Sequence, residues 1–546
     1  MADDLATQSL LREALQALQR GQLPQARQAC ERALSAAPQS FDGWRILAMI
    51  LHALGQQDEF GDALQKAHAL KPHDATTALD YGSVLLQQGQ ATAAQPLLRL
   101  AMDKLPQDAR AAFRYGTASF LLDEFDEAAI GFEAATARQP DWVEAWNNLA
   151  ATQGKLQAYP VAIAAARTAL RLRPDDATTN RALSALLSNQ FEPSVLQEGL
   201  AFADRALQLQ PDFAAAHRDA AILARKLHLH ARALQSARRA FELAPGDPPT
   251  VDALGEQLIE MDQAGAAAAV YATTLADADA PPMLQRQYGV ALLHDRQAHL
   301  ACEALTTALA RDPTDQRAIA YLGAALAADG RLQQAIERLG LQRNVHAVDL
   351  PVPAGFADAT AFHAALAEDI RRHSQQRWEP VGLAARQAYL SGDLLVDRTT
   401  AILGLEQRLR EAIAHFISER RAEVAQATDD VFLRNIPERY RLHVWATQAA
   451  AQGYIDTHLH EDSWLSGAYY VQLPAAVSKD DPEHAGWIEF GRPFARLPQW
   501  PEQALRRVCP QVGTLLLFPS YLFHRTLPYR GEGERISISF DLAAVP

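Results

Sequence analysis

Prolines at positions 38, 72, 106, 140 and 174 recur every 34 residues, and each follows an alanine by five: Ala33, Ala67, Ala101, Ala135 and Ala169. Gly21, Gly55 and Gly89 keep the same period. The rhythm slips by three residues around "NQFEPSVLQEG", resumes with the pairs Ala206/Pro211 and Ala240/Pro245, and ends in a looser round at Ala308/Pro313. Two short amphipathic helices with two turns need about 34 residues. In that reading the glycine ends the first helix and the proline closes the second. The recurring alanine marks a crossing too close for a larger side chain. Units of this kind stack only on their neighbours and curl into a superhelix with a concave face. Residues 1–340 are therefore expected to be all-α.

The unit "WVEAWNNLAATQGKLQAYPVAIAAARTALRLRPDD" resembles a tetratricopeptide repeat (TPR), and the resemblance covers residues 5 to 340 in about nine or ten repeats. It implies that the concave face holds a protein or peptide segment, with self-association as the other use of such an array. The tripeptide His228-Leu229-His230 falls inside it, in a stretch that reads as one helix. On a helix, positions i and i+2 point about 200° apart, so these two histidines are expected to be inert toward metal.

The chain has 546 residues, with 51 Lys+Arg against 65 Asp+Glu and a net charge of -14. That balance speaks against a general nucleic-acid binder or a partner of anionic membranes, because both would be repelled. Cys30, Cys302 and Cys509 are far apart and odd in number, so they suggest neither a disulfide framework nor a cysteine zinc site. The N-terminus lacks the basic region and apolar core of a signal peptide, and no run of 18 apolar residues occurs. The expected location is cytoplasmic.

Beyond residue 341 the rhythm stops. "VDLPVPAGFADATAFHAALAEDI" reads as a strand, a turn and a helix, and "TTAILGLEQRLREAIAHFISERRA" as a long amphipathic helix. Short strands rich in aromatic and β-branched residues follow: "RLHVWAT", "GAYYVQL", "GWIEFG", "GTLLLFP" and "RISISFDLAAV". Helices followed by strands predict an α+β domain at 341–546, built on an antiparallel double sheet or jelly roll. The acidic "QATDD" at 426–430 reads as a solvated loop, and Trp445 and Trp464 as packing residues.

A second His-Leu-His, at 458–460, lies just before one of these strands. In an extended segment residues i and i+2 share a face, so His458 and His460 can converge on one ion. Asp456 and Asp462 lie on the same face. The near pair is therefore His458 with His460, His460 with Asp462, or Asp456 with His458. Two histidines and a carboxylate with open positions is a familiar non-haem Fe(II) arrangement. His524, at the end of an apolar strand, is the candidate distant ligand. From Arg535 the residues alternate strictly, with Arg535, Ser537, Ser539 and Asp541 on one face and Ile536, Ile538, Phe540 and Leu542 on the other. An arginine on a barrel's inner face, with a serine two residues along, suits a bidentate clasp on a carboxylate.

The stretches "THLHEDSWLSGAYYVQLP", "GWIEFGRP", "LLLFPSYLFHRTLPY" and "RISISFDL" resemble the 2-oxoglutarate and Fe(II)-dependent oxygenases, in their prolyl-hydroxylase-like branch. The closer likeness is to proteins in which TPRs precede such a domain, and it covers about 341 to 546. The resemblance implies a double-stranded β-helix fold, with His524 as the distal iron ligand and Arg535 binding the far carboxylate of 2-oxoglutarate beside Ser537. Tyr469 and Tyr470 point to opposite faces, and Tyr470 is the one expected to reach the cofactor. The near motif of the resembled subgroup reads Pro-His-x-His-Pro, whereas here Thr457 and Glu461 replace both prolines. His458 and His460 are the leading pair, with Asp462 as the rival to His460. A ligand set without a carboxylate is one charge more positive, and Asp462 or Asp456 is expected to offset it. The implied cofactors are Fe(II), 2-oxoglutarate and O2, with ascorbate as a further expectation. The implied activity is hydroxylation of a protein or peptide side chain presented by the array. The alternatives are a small-molecule or sugar-linked hydroxylase whose repeats serve assembly, and a non-catalytic interaction protein whose oxygenase fold has decayed.

Overall fold

The computed structural model describes residues 2–276, 280–424 and 430–545. Helices follow one another from Ala2–Gln19 to Leu332–Leu339, joined by two alternating kinds of turn. In one, a proline closes a helix, and in six of these turns a short polar residue two positions on caps the next, Trp142 and Phe213 taking that place without a cap after Pro140 and Pro211. The side chains of Ser40, Asp74, Asp108, Asp176, Asp247 and Asp315 all accept a backbone N–H from the first turn of the helix that follows.

The other turn needs a left-handed residue. It is Gly21, Gly55, Gly89, Asp123, Gln157, His228, Asp262, Arg296 and Gly330, with φ between 57° and 81°. Successive members are 34 residues apart except from 157 to 228, an interval of two periods and three residues. Glycine is free of strain there, but a single L-residue is tolerated, which is why the period outlasts its glycines. His228 occupies one of these turns, so the single helix expected across 214–241 does not form. Helix Ala214–Lys226 stops before it and helix His230–Leu243 starts after it.

The recurring alanines Ala33, Ala67, Ala101, Ala135, Ala169, Ala206, Ala240 and Ala308 are all at most 1% exposed. A Cβ on neighbouring Gly131 would fall 2.5 Å from the backbone nitrogen of Gly116, so the helices meet backbone to backbone at this level.

Two compact units divide the chain: Met1–Gln190 with Ala201–Pro211, and Phe191–Leu200 with Asp212–Pro546. In the first, the core consists of local clusters between successive helices. In the second, one continuous core runs from Ala221 in the repeats to Leu542 near the C-terminus. That core includes Ile402, Leu405, Leu409, Ile413 and Phe416, the apolar stripe of helix Thr400–Glu423, and Phe362, Leu366 and Ile370 of helix Ala359–Arg372.

Among the described residues, ten strands complete the second unit. They are β1 (His346–Asp349), β2 (Gln376–Trp378), β3 (Ala385–Ser391), β4 (Tyr440–Ile455), β5 (Leu465–Gln472), β6 (Ile488–Phe490), β7 (Arg506–Val508), β8 (Thr514–Pro519), β9 (His524–Thr526) and β10 (Arg535–Ala544). A seven-stranded antiparallel sheet has the order β1-β8-β5-β10-β4-β3-β2, and a three-stranded sheet the order β7-β6-β9. The fold is thus a TPR array followed by an antiparallel double-sheet domain, as the sequence predicts. Strands β2, β3, β7 and β9 were not expected; three of them have only three residues, and β3 is mostly polar or small. His524 is not the end of the apolar strand, which stops at Pro519. It opens β9 in the smaller sheet.

Residues 426–429 of the expected acidic loop lie outside the described residues. Asp430 is buried, caps helix Val431–Arg434 and accepts from Arg343 at 2.7 Å, so it is a structural anchor and not a solvated residue.

Candidate functional site

His458 and His524 face each other as an isolated antiparallel bridge, each backbone N–H donating to the other's carbonyl at 3.0 Å. That bridge joins the segment after β4 to the start of β9. His460 donates its backbone N–H to the Ser520 carbonyl at 3.1 Å, in the turn after β8. The three rings gather as a consequence. Their centroids are 4.1 Å apart for His458 and His524, 5.0 Å for His458 and His460, and 5.2 Å for His460 and His524. One nitrogen from each can be chosen so that all lie within 4.8 Å of one another. Among the described residues, no other group of histidine, cysteine, aspartate or glutamate is arranged this way.

Each Nδ1 is committed elsewhere. That of His458 meets the Asp456 carbonyl at 2.9 Å, that of His524 the Leu522 carbonyl at 2.9 Å, and that of His460 the Asp541 carboxylate at 2.7 Å. All three partners are acceptors, so each Nδ1 carries a proton, and in a neutral ring Nε2 is the nitrogen left with a lone pair. Burial, reinforced by the neighbouring imidazoles, pulls His458 down to about 3 and His524 well below the ordinary histidine range. Three imidazoles gathered this closely are a donor set that suits a divalent metal such as Fe(II).

Asp462 and Asp456 are exposed and stand outside the cluster; the Asp462 carboxylate sits in a turn. The geometry therefore groups His460, not Asp462, with the other two histidines. The carboxylate hydrogen-bonded to the triad is a residue that the sequence reading did not single out for this place, Asp541. Its place on the Arg535 face was legible from alternation, but its contact with His460 needed the pairing of β10 with its neighbours.

The triad opens into a cavity of about 450 Å³ that also reaches Arg535, Ser537 and Tyr470. Arg535 is 6% exposed, and its Nε has no hydrogen-bond partner. No carboxylate pairs with it among the described residues; Glu534, its sequence neighbour, pairs with Arg371 at 2.7 Å. The guanidinium carbon lies 5.5 Å from the centre of the Tyr470 ring, whose buried hydroxyl also lacks a partner. Burial pulls the guanidinium below its ordinary value. A β-bulge in the pairing of β10 with β5, between Ile536 and Ser537, sits beside it. A buried cation and an orphaned hydroxyl in one cavity fit the far carboxylate of a dicarboxylic acid such as 2-oxoglutarate.

Tyr469 points the other way and bonds His363 at 2.7 Å. Trp464 packs as expected, stacked on Phe432 at 4.5 Å and donating its indole N–H to the Phe432 carbonyl. Trp445, expected to pack, instead lines the cavity with its ring 5.7 Å from His460. Phe191, at the slip in the repeat period, is a cavity wall that sequence reasoning missed. Its carbonyl accepts from Val381, and Arg377 lies over its ring while pairing with Glu192.

The family model described as "Putative 2OG-Fe(II) oxygenase" matches residues 443–541, a span containing all three histidines and Arg535. Two models described as tetratricopeptide repeat match 11–75 and 85–152. Among solved structures, a thermophilic TPR protein of Thermus thermophilus is 27% identical, with 34% of this chain and all of that one covered and a TM-score of 0.31. Pseudomonas aeruginosa pilF is 20% identical over 40% of this chain and 97% of its own, with a TM-score of 0.32. A MamA fragment from Desulfovibrio magneticus RS-1 is 18% identical over 31% and 96%, with a TM-score of 0.28.

Proposed function

We propose, from the matches to the tetratricopeptide-repeat models and to the model described as "Putative 2OG-Fe(II) oxygenase", a 2-oxoglutarate- and Fe(II)-dependent dioxygenase that hydroxylates a protein or peptide side chain presented by the array. The observation that carries the reading is the buried Arg535, with no carboxylate partner and an unbonded Nε, in the same cavity as three clustered histidines.

His458, His460 and His524 would hold the iron, and Arg535, with the Tyr470 hydroxyl and Ser537, would hold the far carboxylate of 2-oxoglutarate. When bound, the metal and co-substrate supply oxidative decarboxylation to succinate and CO2, coupled to hydroxylation of a C–H bond with O2. The chain's own part is positional. The backbone bridge between 458 and 524 holds two rings together, the Nδ1 acceptors fix all three tautomers, and Phe518, Phe540 and Ile488 line the cavity with apolar surface. The repeat array supports a macromolecular substrate, since such arrays generally bind protein segments.

The test is succinate formation by pure protein with Fe(II), 2-oxoglutarate and ascorbate, with and without fractionated cellular protein. Turnover stimulated by a protein fraction and lost in H524A is expected. Protein that binds metal and 2-oxoglutarate but yields no succinate with any fraction would sink the dioxygenase reading.

A further inference from the structure

A ligand set of three imidazoles has no negative charge of its own, unlike a two-histidine, one-carboxylate site. That charge lies one hydrogen bond away. Asp541 Oδ2 takes the Nδ1 proton of His460 at 2.7 Å, and its Oδ1 accepts the Ser466 hydroxyl at 2.6 Å. Ser466 Oγ is 2.8 Å from Ser520 Oγ, and the Ser520 carbonyl receives the His460 N–H at 3.1 Å. The four residues form a closed ring of contacts: His460 to Asp541, to Ser466, to Ser520, and back to His460.

Three features set this carboxylate apart. First, it is mostly buried, its side chain 14% exposed, and no lysine or arginine pairs with it among the described residues. Second, the corresponding acceptors for His458 and His524 are uncharged carbonyls, so only one of the three imidazoles is backed by a full charge. Third, its position is set by the sheet, because Asp541 lies opposite Ser466 on β5 and opposite His443 on β4. β10 thus carries a cation for the co-substrate at Arg535 and an anion for the metal end at Asp541, on one face of one strand.

We propose that Asp541 is the positioning residue of the metal centre. It supplies, through His460, the negative charge that the ligand set lacks, and it holds the His460 ring with Nε2 turned to the ion. A carboxylate behind a ligating imidazole raises its basicity and fixes its tautomer, an effect worth roughly 10–100-fold in metal affinity. This inference rests on the reading of the three histidines as ligands, but not on any catalytic activity.

The experiment titrates full-length protein with Co(II) and follows its d–d absorption, in wild type, D541N, D541E and H524A. Asparagine can still accept from Nδ1 but carries no charge, so D541N is expected to weaken Co(II) roughly 10–100-fold with the band shape kept. D541E retains the charge and should lie closer to wild type than D541N. Affinity of D541N within twofold of wild type, or D541E and D541N weakened alike, would overturn the proposal. H524A separates the two levels: if it binds Co(II) like wild type, the histidine centre itself is wrong. If H524A loses the ion while D541N keeps it, only the role of Asp541 fails.

Discussion

Arg535 offers a test in which stability and ligand affinity move in opposite directions. The guanidinium is buried, has no carboxylate partner and leaves Nε unbonded, so the protein without ligand bears a desolvation cost with little return. Its position over the Tyr470 ring returns about 1 kcal/mol. Methionine has similar reach and no charge. Exchanging buried ionic groups for apolar ones of like volume is often neutral or stabilising by about 1–4 kcal/mol. R535M is therefore expected to melt no lower than wild type in the absence of ligand. With 2-oxoglutarate the sign reverses. Two charge-assisted hydrogen bonds at about 1.5–3 kcal/mol each amount to about 3–6 kcal/mol, or roughly 10²- to 10⁴-fold in affinity. The assay is thermal unfolding with Mn(II) present, with and without saturating 2-oxoglutarate. Wild type should gain stability from the acid and R535M should gain none. A variant that melts lower without ligand yet keeps the full 2-oxoglutarate shift would refute the reasoning, because Arg535 would then be structural.

Other outcomes follow from side chains outside the Arg535 subsite. Glu489 is fully buried and receives Arg492 at 2.6 Å and Arg507 and Arg525 at 2.8 Å each. Burial raises its carboxyl pKa, but the three guanidiniums outweigh burial and leave it below the ordinary value. A carboxyl depressed in the fold stabilises above its unfolded pKa and loses that contribution as pH falls through the folded value. E489Q should cost about 3–5 kcal/mol at pH 7 and show a flatter loss of stability below about pH 4.5, read from urea midpoints across pH. W464A removes the stack on Phe432 and an indole hydrogen bond, and should cost about 3–5 kcal/mol in chemical denaturation. In the array, A135L forces a larger side chain into a fully buried crossing and should cost about 1–3 kcal/mol by the same measurement. D462N should leave Co(II) affinity unchanged, since Asp462 is exposed and outside the cluster.

The repeats were legible because their constraint is local. A proline, a capping aspartate and a buried alanine recur with fixed spacing, and each acts within a few residues of its own position. The turn at His228 is hidden for the same reason: a left-handed histidine has no local signature when Gly21, Gly55 and Gly89 mark the equivalent turns. Alternation in 535–542 exposed the polar face of β10, and the extended spacing of 458–460 brought its two histidines together. The short strand β9 and the grouping of His460, and not Asp462, with the other two histidines depend on which segments pair across the sheets, and no window of sequence encodes that. Asp541 was hidden in the same way, its partner lying 81 residues upstream.

The three-residue slip at "NQFEPSVLQEG" has a consequence for how this architecture can change. Repeat arrays tolerate the gain or loss of whole units, because every unit presents the same faces to its neighbours. Phe191 breaks that equivalence: it is the point where the array's numbering is tied to a wall of the cavity. A deletion at the slip that took Phe191 with it would withdraw that wall. The irregularity thus puts one residue of the array's own turn into the wall of the cavity, within the second compact unit.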